Sequence, residues 1–169
     1  MSEGARRYFL RKRESRELLA KLAQAGVRVP PQPRANVEVA EAGGARVFLL
    51  EGRPLAAERE GVLFPLLLAP EALEDLPGVV VDMGAIPHIC NGAHVMAPGV
   101  VEVRGDFEAG ALVKVLDERH GKAIAVGQAL VSSSELRAAE RGRVVRNLHY
   151  VGDKLWRLAK ELTLSLIHI

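Results

Sequence analysis

Asp82-Met83-Gly84-Ala85-Ile86-Pro87-His88-Ile89-Cys90-Asn91-Gly92-Ala93-His94-Val95-Met96-Ala97-Pro98-Gly99-Val100 holds the Gly-Ala pair twice, eight residues apart, and closes on a Met-Ala-Pro-Gly corner. Val79-Val80-Val81 in front of it reads as a buried strand. Behind that strand a short helix fits over about residues 84–91. Gly92 is the residue type that tolerates the left-handed turn at a helix C-terminus, and Pro98 cannot continue a helix. Each glycine then has two readings. It begins or ends a tightly packed helix, or it lets a phosphate or base approach the main chain, where helix-end amides donate to phosphate oxygens.

Downstream, strand-like runs cover residues 94–96, 100–104, 111–116, 123–131 and 144–150, separated by Gly105, Gly121 and Gly142. Ser132-Ser133-Ser134-Glu135 is a capping sequence ahead of a short helix at residues 136–140. Five or six short strands with two small helices suit a compact closed barrel. Upstream, residues 14–25 read as an amphipathic helix through Leu18, Leu19 and Leu22, with Gly26 as its stop. Pro30, Pro31 and Pro33 make a stiff connector. Residues 37–39, 47–50 and 54–58 then read as strands around Gly43-Gly44 and Glu51-Gly52 turns. The apolar run 62–68 fits a buried strand or a helix start, and Pro65 turns it. Pro70 opens a short helix that Pro77-Gly78 ends. The expected organisation is an α+β domain at 1–77, a second, mostly β module at 78–160, and an apolar tail at 161–169 that continues a helix, pairs as a strand or belongs to an interface.

Bulk charge does not announce a nucleic-acid binder: 23 basic and 21 acidic residues leave a net +2. Locally the balance breaks. Arg6, Arg7, Arg11, Lys12, Arg13 and Arg16 crowd one short segment, and Arg137, Arg141, Arg143 and Arg146 another; each is either a solvated face or a contact surface. The single Cys90 allows no internal disulfide and favours a reducing compartment. The first twenty residues are too charged for a signal peptide, and no apolar run is long enough to span a bilayer, so a cytoplasmic protein is expected. No nucleophile elbow, phosphate loop or dinucleotide fingerprint occurs. His88, Cys90 and His94 have metal-like spacing, but a closed zinc site wants four ligands and no second cysteine exists. No cofactor is expected.

Residues 82–100, with Asp106-Phe107-Glu108-Ala109-Gly110, Leu112-Val113-Lys114-Val115 and Ala125-Val126-Gly127-Gln128-Ala129, resemble a PUA domain, a small RNA-binding barrel. Adding Asn147-Leu148-His149-Tyr150, Asp153, Leu155-Trp156 and the amino-terminal Glu60-Gly61 and Phe64-Pro65, the chain is similar to the malignant T-cell amplified sequence family, including its archaeal members, over about residues 6–160. That resemblance implies an α+β pre-PUA domain followed by a mostly β PUA pseudo-barrel with two short helices. It also implies work in translation, since eukaryotic members pair with density-regulated protein or, in ligatin, are fused to its equivalent.

Residue chemistry and resemblance together put RNA contacts on Gly84, Ala85, His88, Asn91, Gly92, Ala93, Arg143, Arg146, Asn147 and His149. Regular alternation along the last strand would set Arg143, Asn147 and His149 on one face, and a bulge would alter that split. Trp156 is expected to close the barrel core against Leu155 and Leu158. The expected protein is non-enzymatic and grips tRNA or small-subunit rRNA, beside a translation-factor partner, as a monomer or weak dimer and away from membranes. The competing expectations are an accessory RNA-binding subunit of a tRNA-modifying enzyme and a protein–protein adaptor.

Overall fold

The computed structural model describes residues 6–31, 34 and 36–167. It divides into two compact units, one formed by the chain up to Asp75 together with the helix that begins at Lys154, the other by Leu76–Asp153.

In the first unit β1 (Arg6–Phe9), β2 (Val37–Ala42), β3 (Ala45–Leu50), β4 (Arg53–Arg59) and β5 (Val62–Pro65) make an antiparallel sheet in sequence order, with α1 (Lys12–Gln24) between β1 and β2. The β3–β4 and β4–β5 hairpins turn on Glu51-Gly52 and Glu60-Gly61, with all four residues at positive φ, as two-residue turns require. Val37, Val39, Val47, Leu49 and Phe64 fill the interior. Ser15 of α1 is fully buried and its Oγ accepts the Val37 N–H at 3.2 Å, which ties helix to sheet.

The amino-terminal basic cluster is dispersed by this arrangement. Arg6 and Arg7 lie on β1, a strand that the sequence does not signal, where Arg7 makes a two-pronged ion pair with Glu38. The tail continues a helix: residues 154–167 form α4 (Lys154–Ile167), packed on β3 and β4. Leu155, Ala159 and Leu162, at helical spacing, are its buried stripe. The second unit thus ends at Asp153, not at 160, because this stripe demands an apolar partner and finds it on β3 and β4 of the first unit. Trp156 therefore sits on α4 of the first unit, half-buried, with the Lys160 ammonium 4.7 Å from its ring, and does not close the barrel.

The second unit contains β6 (Gly78–Val81), α2 (Ile86–Ile89), β7 (Val95–Met96), β8 (Val100–Arg104), β9 (Leu112–Asp117), β10 (Ala123–Ala129), α3 (Ser133–Ala138) and β11 (Arg143–Tyr150). The strand order is β7-β11-β10-β9-β6-β8, antiparallel except for β6 beside β9. β7 and β8 stand at opposite ends of this order, yet only the 3-10 turn Ala97–Gly99 joins them. The sheet must therefore curl until its ends meet, which makes the pseudo-barrel that the resemblance implies. Val79, Val81, Val113, Val115, Ala125 and Val145 fill it. α3 carries the expected capping box: Ser132 Oγ accepts the Glu135 N–H, and the Glu135 carboxylate accepts the Ser132 N–H.

Candidate nucleic-acid interface

The decisive stretch crosses one end of the pseudo-barrel. Asp82 leaves β6 with its N–H donating to the Gly99 carbonyl at 2.9 Å, and its Oδ1 accepts the Ala85 N–H at 2.8 Å. Its carboxylate thus forms the turn that starts α2 and is not a free acid. At the other end the Gly92 N–H donates to Ile89 O and the Ala93 N–H to His88 O, both at 3.0 Å, with Gly92 at φ +99. These two bonds are a Schellman close, which needs the left-handed residue that glycine supplies.

Asn147 of β11 fastens this segment. Its Nδ2 donates to Ile89 O at 3.0 Å and Ala93 O at 2.9 Å, and its main-chain N–H donates to His94 Nδ1 at 3.0 Å. His94 Nδ1 therefore carries a lone pair, assigned from its partner, and a neutral His94 holds its proton on Nε2. Asn147 Oδ1 is buried without a partner among the described residues.

Between α2, β7 and the 3-10 turn lies an open cavity of about 420 Å³, walled by Asp82, Ala85, His88, Ala93, His94 and Met96 among others. Met96 is 47% exposed on its rim. Arg143 stands opposite Met96 in the β11–β7 register, and the Ala97 N–H donates to Gly142 O at 2.8 Å. Arg141 and Arg143 are exposed and have no side-chain partner among the described residues.

The expected contact residues separate into three groups. Gly84, Ala85, His88, Asn91, Gly92, Ala93 and Arg143 gather on or beside the cavity, all exposed except the half-buried Ala85. Arg146 and Asn147 are half-buried on β11, and Asn147 serves as the fastener just described. His149 does not belong to the surface: it is fully buried, its Nδ1 2.9 Å from the Asp153 carboxylate.

The cause is a bulge. Asn147 pairs with Gly127 and His149 with Val126, so regular alternation fails along β11. Glycine at 127 is required there. A Cβ would lie 2.3 Å from Val145 Cγ1 and 2.7 Å from the Arg146 carbonyl oxygen. The Ala-Val-Gly motif thus contributes a close strand approach and no ligand contact of its own.

The second arginine cluster is split as well. Arg137 is engaged, donating to Asp106 Oδ1 and to the carbonyls of Val103 and Gly105, which blunts the edge of β8. Among the described residues no three His, Cys, Asp or Glu side chains group as a metal site. His94 Nδ1 is occupied, and burial pushes the Cys90 thiol up, away from the thiolate a metal would need. Tyr150 is half-buried with its ring against Gly92, where a Cβ would meet it at 3.7 Å. Met96 was not among the expected contacts. Its signal was legible as the outward alternate of buried Val95 in β7.

Comparison with known proteins fits this architecture. A family profile described as "PUA domain" matches residues 77–151, and one described as "Domain of unknown function (DUF1947)" matches residues 6–69. An uncharacterized protein of Methanocaldococcus jannaschii is 38% identical over 157 residues, covering 91% of this chain and 97% of its own. Translation machinery-associated protein 20 of Saccharomyces cerevisiae is 28% identical over 123 residues, covering 69% and 68%. The crystal structure of a PUA-domain protein from Aeropyrum pernix superposes with a TM-score of 0.80 at 34% identity, covering 93% of each chain. Among the described residues no helix is long and apolar enough to cross a membrane.

Proposed function

This chain belongs to the family of PUA-domain proteins that includes translation machinery-associated protein 20 and the malignant T-cell-amplified sequence proteins, and from that membership we propose that it is a non-enzymatic, cytoplasmic RNA-binding protein that grips tRNA or small-subunit rRNA during translation. One observation carries the reading. Met96, exposed on the wall of an open cavity, stands opposite the exposed and unpartnered Arg143 in the β11–β7 register, with the equally unpartnered Arg141 two residues before it. Guanidinium groups hold backbone phosphates, and an apolar rim accepts an unstacked base, which is how single-stranded RNA is gripped. Gly84, Asn91, Gly92 and Ala93 present main chain with little side chain over it, and His88 adds a polar edge. The first unit serves to meet the ribosome or a translation-factor partner.

Filter binding of a tRNA and co-sedimentation with small ribosomal subunits test this. Association should fall steeply with salt, and Arg141→Ala with Arg143→Ala should weaken it and flatten the salt dependence by roughly 0.7–0.9 for each phosphate left unneutralised. Salt-independent binding, or none to either RNA, overturns the reading.

A further inference from the structure

The arginines and lysines of the second unit divide cleanly by what they do. Arg104 pairs with Glu102 and Arg137 with Asp106, while Lys114 and Arg146 also have partners. Arg119, Lys122, Arg141 and Arg143 have no side-chain hydrogen bond or ion pair among the described residues, and all four are exposed. Arg143 stands opposite Met96 in the β11–β7 register, and Arg141 is two residues before it. The other two lie on the β9–β10 turn, which neither the sequence motifs nor the family resemblance marks.

That turn is built to hold still. The Asp117 carboxylate accepts the N–H groups of His120 and Lys122, the Gly121 N–H donates to Asp117 O at 2.9 Å, and the Asp117 N–H donates to Lys122 O at 3.0 Å. It is also docked onto the start of the decisive stretch. The Glu118 N–H donates to Val81 O at 3.1 Å, and the Glu118 carboxylate accepts the Met83 N–H at 3.3 Å. Asp82, between Val81 and Met83, is a wall of the cavity.

The turn's two acids are thus directed into hydrogen bonds, whereas Arg119, His120 and Lys122 are exposed. Two lining residues of the cavity link it to the free cations: Met96, which stands opposite Arg143 in the β11–β7 register, and Asp82, whose neighbours Val81 and Met83 are bonded to the turn that carries Arg119 and Lys122.

We propose that the β9–β10 turn is a second anchor for RNA backbone, so that a strand crosses the cavity from Arg141 and Arg143 to Arg119 and Lys122. The inference rests on the RNA-binding reading above. Free cations on two separate elements, each joined to a wall of the open cavity, match a polyanion longer than the cavity, since a single phosphate would leave one pair without a partner. Held rigidly, the turn fixes the direction in which the strand leaves.

The test is fluorescence-anisotropy titration of a labelled tRNA transcript against the full chain over a salt series. The proteins compared are wild type, Arg119→Gln with Lys122→Gln, and Arg141→Gln with Arg143→Gln. Both variants should bind at least several-fold more weakly, with the slope of log K against log salt reduced by about 0.7–0.9 for each cation–phosphate pair removed. Arg119→Lys with Lys122→Arg, which keeps charge, should bind within about two-fold of wild type and shows that the weakening is electrostatic rather than misfolding. If the turn variant keeps wild-type affinity and slope while the Arg141/Arg143 variant is weakened in both, the second anchor is wrong and the RNA-binding reading stands. If wild type shows no salt-dependent binding, both are wrong.

Discussion

At the scale of single residues three glycines of the PUA motifs, Gly84, Gly92 and Gly127, have different reasons to be glycine. Gly92 sits at φ +99 and closes a Schellman turn, so the backbone demands it. Gly127 is demanded by contact, because two neighbouring atoms occupy the place of a Cβ. Gly84 is demanded by neither: its φ is not left-handed, and a Cβ would meet only Asp82 Oδ1, at 3.4 Å. A glycine that the fold does not require, exposed beside cavity-lining Ala85, fits the proposed RNA contact, where a phosphate or base can approach the main chain. Gly84→Ala should leave the melting temperature nearly unchanged while weakening RNA binding. Gly92→Ala should lose about 1–2 kcal/mol of stability, since alanine is forced into a left-handed conformation. Thermal melts read beside RNA titrations check the pair; a Gly84→Ala protein that binds as wild type removes this residue from the interface.

Among the elements, the β9–β10 turn links stability to pH. The Asp117 carboxylate is held below the usual carboxylate range, chiefly by the His120 N–H and also by that of Lys122, against an opposing effect of burial. A group whose folded value is depressed stabilises the fold above its unfolded pKa of about 3.9, and that contribution is lost as pH falls through the lower folded value. Asp117→Asn should therefore make stability less pH-dependent in the acid range below about pH 4 and lower it at neutral pH. Urea titrations at a series of pH values provide the measurement, and an unaltered acid limb in the variant refutes the assignment. The same substitution loosens the frame that carries Arg119 and Lys122, so it should weaken the proposed RNA anchor along with stability. α2 shows the same economy: four residues long, it is held less by its own hydrogen bonds than by Asp82 in front, the Schellman close behind and Asn147 beneath.

For the whole molecule, the two compact units differ in how continuous their sequence is. The second is one stretch, Leu76–Asp153, whereas the first is completed by α4 from the far end of the chain. Leu155→Ala, which empties a buried position of α4, should cost about 2–5 kcal/mol and act on the first unit. Amide hydrogen exchange should then show weakened protection in β3 and β4 while β9 and β10 keep theirs; a uniform decrease would mean that the units do not respond separately.

Most strands, both short helices of the second unit, its glycine turns and the family were legible in the sequence, because period-two hydrophobicity, capping residues and glycine positions are local signals. β1 escaped, because Arg6 and Arg7 read as charge when in fact they lie across from Glu38 and Glu41. The packing of α4 escaped as well, since its apolar stripe does not name the surface that covers it. His149 was misplaced for the same kind of reason. A strand's alternation can be counted along the chain, but the bulge that breaks it arises where Gly127 lets β10 approach β11, and that approach exists only once the two strands are paired. The sequence by itself thus determined most of the elements, their order and the Gly-Ala segment that borders the cavity. Only the tertiary structure decided which arginines remain free, because a cation is neutralised by whatever carboxylate or carbonyl folding brings beside it, and partners such as Glu38 for Arg7 and Asp106 for Arg137 are distant in the chain.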